Sequence, residues 1–153
     1  MKRGCWLALL TVLLASASLG TLGMAMWAAG GQEAALLMRA KMASGKRAAD
    51  LYRELIALRG PDADVYLWMG QALADADRDE QAIDAWEQAT ETDPDVVEPL
   101  LEIAKLSLEN DSYDDAEDAA LRAIDRDPNW WEGHYMAGLV AAGREDHLLT
   151  TQR

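Results

Sequence analysis

The chain has 153 residues and a mass of 16.8 kDa, room for one small domain or a short repeat array but not for a large two-domain enzyme. Residues 4–32 carry no charge, so residues 33–153 hold all 27 acids against 12 of the 14 bases, a net of −15 within an overall −13, and a nucleic-acid backbone is disfavoured as partner. Alanine at 28 positions, no phenylalanine, and only 15 glycines and prolines together exclude a sheet-rich profile and predict an all-α protein of close-packed helices.

Residues 1–31 form the first element. Lys2 and Arg3 precede an apolar run from Cys5 to Leu14, and no further charge appears before Glu33. Two readings compete. A cleaved signal peptide would use Ala15 and Ala17 as small cleavage-site residues before Ser18. A retained anchor would use the whole stretch, with Trp6, Leu10, Leu14 and Trp27 facing lipid and headgroups. Trp6 and Trp27 are 21 residues apart, roughly 31 Å of helix at about 1.5 Å per residue against a hydrocarbon core of about 30 Å. The paired tryptophans and the long uncharged run favour the anchor. On either reading the basic start stays in the cytoplasm and the acidic remainder crosses. The expected location is the inner membrane, single-pass with the carboxyl-terminal domain in the periplasm; the alternative is secretion to the periplasm after cleavage. Cys5 is the only cysteine, so no disulfide within the chain is possible.

The rest of the chain repeats itself at a shift of 34: Asp93-Pro94-Asp95 returns as Asp127-Pro128-Asn129. Ahead of each proline lies the same series of small and apolar residues, Gly70, Ala82, Trp86, Ala89 in one copy and Ala104, Ala116, Ala120, Ala123 in the next. An earlier, degraded copy holds Leu36, Ala48, Tyr52, Leu55 and Gly60, and a partial one begins at Gly138. Within each unit the apolar spacing is helical, as in Tyr66, Met69, Gly70 and Leu73. Turn signals at Ser44-Gly45, Asp77-Arg78-Asp79 and Asn110-Asp111-Ser112 divide the units. Helices are predicted near 32–43, 46–58, 63–75, 79–92, 96–109, 113–126 and 130–142. The corresponding blocks are 32–61, 62–95, 96–129, a capping helix over 130–145 and a tail over 146–153. Small residues at 70, 82, 104 and 116 sit where two antiparallel helices would approach most closely.

These motifs resemble the tetratricopeptide repeat family, over about residues 33 to 145. The resemblance implies a right-handed helical solenoid of about 3.5 helix-turn-helix units, with a groove lined by the first helix of each unit that holds a peptide or partner helix. Carried over by period, that surface is Asp64, Leu67, Trp68, Gln71, Ala74 and Asp75, then Glu98, Leu101, Lys105 and Leu108, then Tyr135 and Leu139. It is apolar in the middle and acidic at the edges, suited to a hydrophobic or basic segment. Family members that clamp a carboxyl terminus use several cations there, and here only Lys105 is expected. Trp131, Ala137, Gly138 and Leu139 are expected to cover the third unit, with Trp130 beside them near the open end, and His134 falls on the inward row of the last helix.

Catalytic constellations are missing. There is no H-E-x-x-H, no G-x-S-x-G and no glycine-rich phosphate loop. Asp75, Asp77 and Asp79 alternate like the start of a calcium loop, but Glu80 stands where glycine is needed and Trp86 where a bidentate glutamate is needed. The expected protein is therefore a non-enzymatic scaffold or adaptor without cofactor or metal. Its partners would be proteins, membrane-associated ones above all, with no nucleic acid or small-molecule substrate. Two alternatives share the resemblance. One is a permanent accessory subunit of a membrane complex. The other is an assembly factor of bacterial cytochrome c maturation, whose second helices look similar to the one containing Trp86.

Overall fold

Seven helices succeed one another in the computed structural model, which describes residues 30–151, and no strand occurs among them. They are α1 (30–42), α2 (Gly45–Arg59), α3 (Ala63–Ala74), α4 (Asp79–Thr92), α5 (Glu98–Glu109), α6 (Tyr113–Arg126) and α7 (Trp131–Thr151). The anchor residues Trp6, Leu10, Leu14 and Trp27 lie outside the described residues. Among those described, no helix is long and apolar enough to cross a membrane.

Turn chemistry repeats as closely as the sequence does. Asp77 and Asp111, one period apart, both adopt φ +55. The amide of Arg78 donates to the Leu73 carbonyl at 3.0 Å, and that of Ser112 to the Ser107 carbonyl at 2.8 Å. These bonds satisfy carbonyls that each helix end would otherwise leave open. Between units, Asp93 and Asp127 each accept from the amide two residues on, both at 3.0 Å, an Asx turn just where proline prevents the helix from continuing. The Asp62 side chain caps α3 by accepting from the Val65 amide at 3.1 Å.

Each hairpin pairs a first helix with a second, α3 with α4 and α5 with α6, and each second helix also packs on the next first helix. First helices touch along the stack, α3 with α5 and α5 with α7, whereas α2, α4 and α6 do not approach one another at the backbone. The first helices therefore form the tighter, inner layer of the curve. Alanines explain the close approach: Ala82, Ala89, Ala104, Ala116, Ala120 and Ala123 are fully buried. Trp86 is 2% exposed and fills the space that Gly70 leaves open. Its Nε1–H donates to the Leu67 carbonyl at 3.2 Å, so the indole is buried without an orphan donor. The degraded first copy packs like the others, with Leu36, Ala48, Tyr52 and Leu55 in the core.

The carboxyl-terminal helix differs from expectation. α7 runs through Thr151, so both the helix end expected at 142 and the block boundary at 145 fall inside it. Arg144 supports this extension by reaching Asp114 at 2.9 Å and Glu117 at 2.8 Å on α6. Trp131 and Gly138 do not cover the third unit: Trp131 is 64% exposed, and a Cβ on Gly138 would meet nothing within 4 Å. That covering comes from Met136 and Val140, both buried, with Ala137 and Trp130 partly so. His134 is exposed rather than inward, and its Nε2 lies 2.9 Å from the Pro128 carbonyl, pinning the start of α7 to the preceding turn.

Candidate protein-binding surface

The inner layer places most of the expected groove residues together, because positions 34 apart on α3, α5 and α7 share one register. Asp64, Gln71 and Asp75 are exposed on or just beyond α3, while Leu67, Trp68 and Ala74 are half-buried against the core. On α5, Glu98 and Lys105 are exposed and Leu108 is half-buried. Tyr135 and Leu139 are exposed on α7, at 57% and 37%.

Leu101 is a correction. It is 6% exposed and belongs to the core. Its equivalent one unit earlier, Leu67, keeps more of its surface, so the period assigns the row correctly but not its depth. Leu108 also looks inward in part, since its Cδ1 lies 3.3 Å from where a Cβ on Gly143 of α7 would stand.

Two polar pairs on this layer are mutually held. Gln71 Nε2 donates to Asp75 at 3.1 Å, and Lys105 Nζ reaches Glu102 at 2.7 Å. Asp64, Glu98 and Glu132 recur one period apart, each in the first turn of its helix, where the helix dipole favours negative charge. Asp64 and Glu98 are exposed and present an acidic edge, whereas Glu132 is half-buried. Its centre is Trp68, whose ring lies 6.2 Å from that of Tyr52.

One contributor escaped the sequence reading. Lys41 of α1 lies over the Trp68 ring, with Nζ 3.9 Å from the centroid, a cation–π contact. The signal existed, since position 41 is one period before Asp75. It was missed because the first copy is degraded. Lys41 joins Lys105 as a second cation on this layer, so the surface is less uniformly acidic than expected.

Chemically, the arrangement offers aromatic and aliphatic area flanked by charge, without convergent titratable groups. Among the described residues, no group of three or more His, Cys, Asp or Glu is placed to hold a metal ion. Asp79, from the apparent calcium series, instead accepts from Asn110 Nδ2 at 2.8 Å and ties one unit to the next.

No family model matches the sequence, and no curated protein matches it. Solved structures do match in shape. A MamA protein superposes with a TM-score of 0.66 at 19% identity, covering 78% of this chain and 68% of that one. A second MamA structure gives 0.66 at 20% identity, over 74% and 68%. The Yersinia enterocolitica type III secretion chaperone SycD, in complex with a peptide of the translocator YopD, gives 0.55 at 17% identity, over 86% of this chain and 95% of that one. The chain has a tetratricopeptide-like helical-repeat fold.

Proposed function

We propose that this protein is a non-enzymatic scaffold that holds a segment of another protein along the inner layer formed by α1, α3, α5 and α7. The observation carrying the reading is that layer itself: half-buried Leu67, Trp68 and Leu108, exposed Tyr135 and Leu139, and an acidic edge at Asp64, Asp75 and Glu98. An apolar or basic-flanked segment suits it, apolar area supplying affinity and the charges orientation. The SycD structure, alike in fold, contains a peptide of a partner protein, which supports the same use here. Residues 1–31 would tether the array to the membrane with the repeats outside the cytoplasm, the uncharged run after Lys2 and Arg3 being the support. Tethering would raise the effective concentration of the array for membrane-bound partners.

The test compares partner recovery from membranes by the wild-type chain and by a Gln71→Arg, Lys105→Glu double variant. Both positions are exposed, so the fold is retained. Recovery is expected to fall at least tenfold; undiminished recovery would place docking elsewhere.

A further inference from the structure

Each inner unit buries its first helix on two sides, against the preceding unit and against its own second helix. α7 is buried on one side only. On α5, Leu100, Ala104 and Ser107 are 0, 0 and 2% exposed. One period later on α7, His134, Gly138 and Ala141 are all exposed. The opposite side of α7 is packed normally: a Cβ on Gly133 would stand 3.1 Å from Ile124, and one on Gly143 would stand 3.1 Å from Tyr113. α7 is therefore the first half of a hairpin whose second half is missing among the described residues.

The inner units also show what fits the bare side, because they follow a size rule. Where the first helix carries Gly70, the second carries Trp86, which occupies the volume a Cβ would need. Where the first helix carries Ala104, the second carries Ala120 at the same register. Gly138 restores the glycine, and nothing stands within 4 Å of its missing Cβ. Trp131 and Tyr135 border this notch, their rings 6.0 Å apart and largely exposed, with Ala141 and Ala142 exposed a turn further on. Exposed apolar area of this kind on a terminal repeat marks a surface awaiting cover.

We propose that α7 docks one amphipathic helix of a partner protein, carrying a tryptophan or other large aromatic at Gly138 and small residues four before and three after it, so that the partner completes the fourth hairpin. The hairpin interface seen twice within the chain continues onto α7. A basic outer face is expected on the partner helix, since Glu145 is exposed in line with His134, Gly138 and Ala141 while Arg144 is held by Asp114 and Glu117. A second copy is a poor donor: the matching series Ala82, Trp86, Ala89 is already buried against Gly70 in every copy. The site adjoins the inner groove and shares Tyr135 with it, but the positions that would seat the helix, His134, Gly138 and Ala141, are not groove residues, and neither proposal requires the other.

The test uses the full chain in mild detergent and a dye-labelled peptide with the α4 sequence, Asp79–Thr92, in which Asp84, Gln88 and Glu91 are replaced by lysine. Saturable one-to-one binding by anisotropy is expected. Affinity should fall at least tenfold when the peptide carries Trp86→Ala, and at least tenfold when the protein carries Gly138→Leu. A Cβ there meets nothing within 4 Å, and leucine favours helix over glycine, so the variant should melt no lower than wild type and still bind the segment taken by the inner groove. Equal affinity of Gly138→Leu, or no saturable binding to wild type, would overturn the proposal. So would a wild-type dimer that Gly138→Leu converts to monomer, which would make a second copy the occupant. An intramolecular disulfide between Cys5 and Gly138→Cys would assign the face to the chain's own amino-terminal segment and equally defeat it.

Discussion

Glu87 of α4 and Arg122 of α6 meet in a two-point ion pair, Nη1 to Oε1 and Nη2 to Oε2, both at 2.7 Å. The pair crosses between second helices whose backbones do not touch. It therefore acts as a strut between second helices on the outer side of the curve. Planar two-point geometry suits arginine and would not survive replacement by lysine.

That strut carries a pH dependence. Hydrogen bonds from Arg122 hold the Glu87 carboxyl below the ordinary glutamate range, opposed by partial burial and assisted by the guanidinium charge. A carboxyl whose folded pKa is depressed contributes stability above its unfolded value, about 4.3, and loses it as pH falls through the folded value. Both side chains are about one-third exposed, so the contribution is screened to about 1 kcal/mol. Glu87→Gln should thus lower the melting temperature at pH 7, and the gap from wild type should close as pH drops below about 4. A pH-independent gap would show that packing, not charge, is responsible.

Overpacking should be costly at Gly70. A Cβ there would stand 2.5 Å from Cδ1 and 2.8 Å from Cε2 of Trp86, a rigid buried ring. Gly70→Ala is expected to destabilise by about 1–3 kcal/mol despite alanine's better helix propensity. Trp86→Ala should cost about 3–5 kcal/mol through lost burial and a cavity. In the Gly70→Ala, Trp86→Ala double variant the glycine replacement should become harmless or favourable. Chemical denaturation of all three measures the coupling.

The two left-handed aspartates should respond differently to glycine. Asp77 and Asp111 share φ +55, a conformation glycine adopts without the penalty a Cβ brings. Asp77→Gly is expected to stabilise by up to about 1 kcal/mol. Asp111 also accepts from the Tyr113 hydroxyl at 2.9 Å, so Asp111→Gly loses a hydrogen bond worth about 1 kcal/mol and should be near neutral. Thermal unfolding of the two single variants reads the difference.

Arg144 should govern the order of α7 more than global stability. Its contacts with Asp114 and Glu117 lie at the surface, so Arg144→Ala should cost less than about 1 kcal/mol overall. Amide exchange over residues 141–151 should nevertheless quicken at least threefold, while the cores of α3 and α4 keep their protection.

How much was legible follows from what each feature depends on. The period, the hairpin boundaries and the small residues at 70, 82, 104 and 116 are local or translational properties, visible wherever side-chain size and turn chemistry recur along the chain. The all-α class and the pairing of helices follow from them directly. Side-chain depth does not, because it depends on what lies across from a residue: Leu67 and Leu101 occupy one register, yet Leu101 is core and Leu67 is half-buried. Lys41 reached Trp68 across a unit boundary that a degraded copy concealed. Tertiary structure alone also decided the fate of α7. Trp131, His134 and Gly138 recur in phase with buried positions, and periodicity therefore reads them as packed. They are open because burial requires a neighbouring helix to supply the opposing atoms, and on that side of α7 none is present among the described residues.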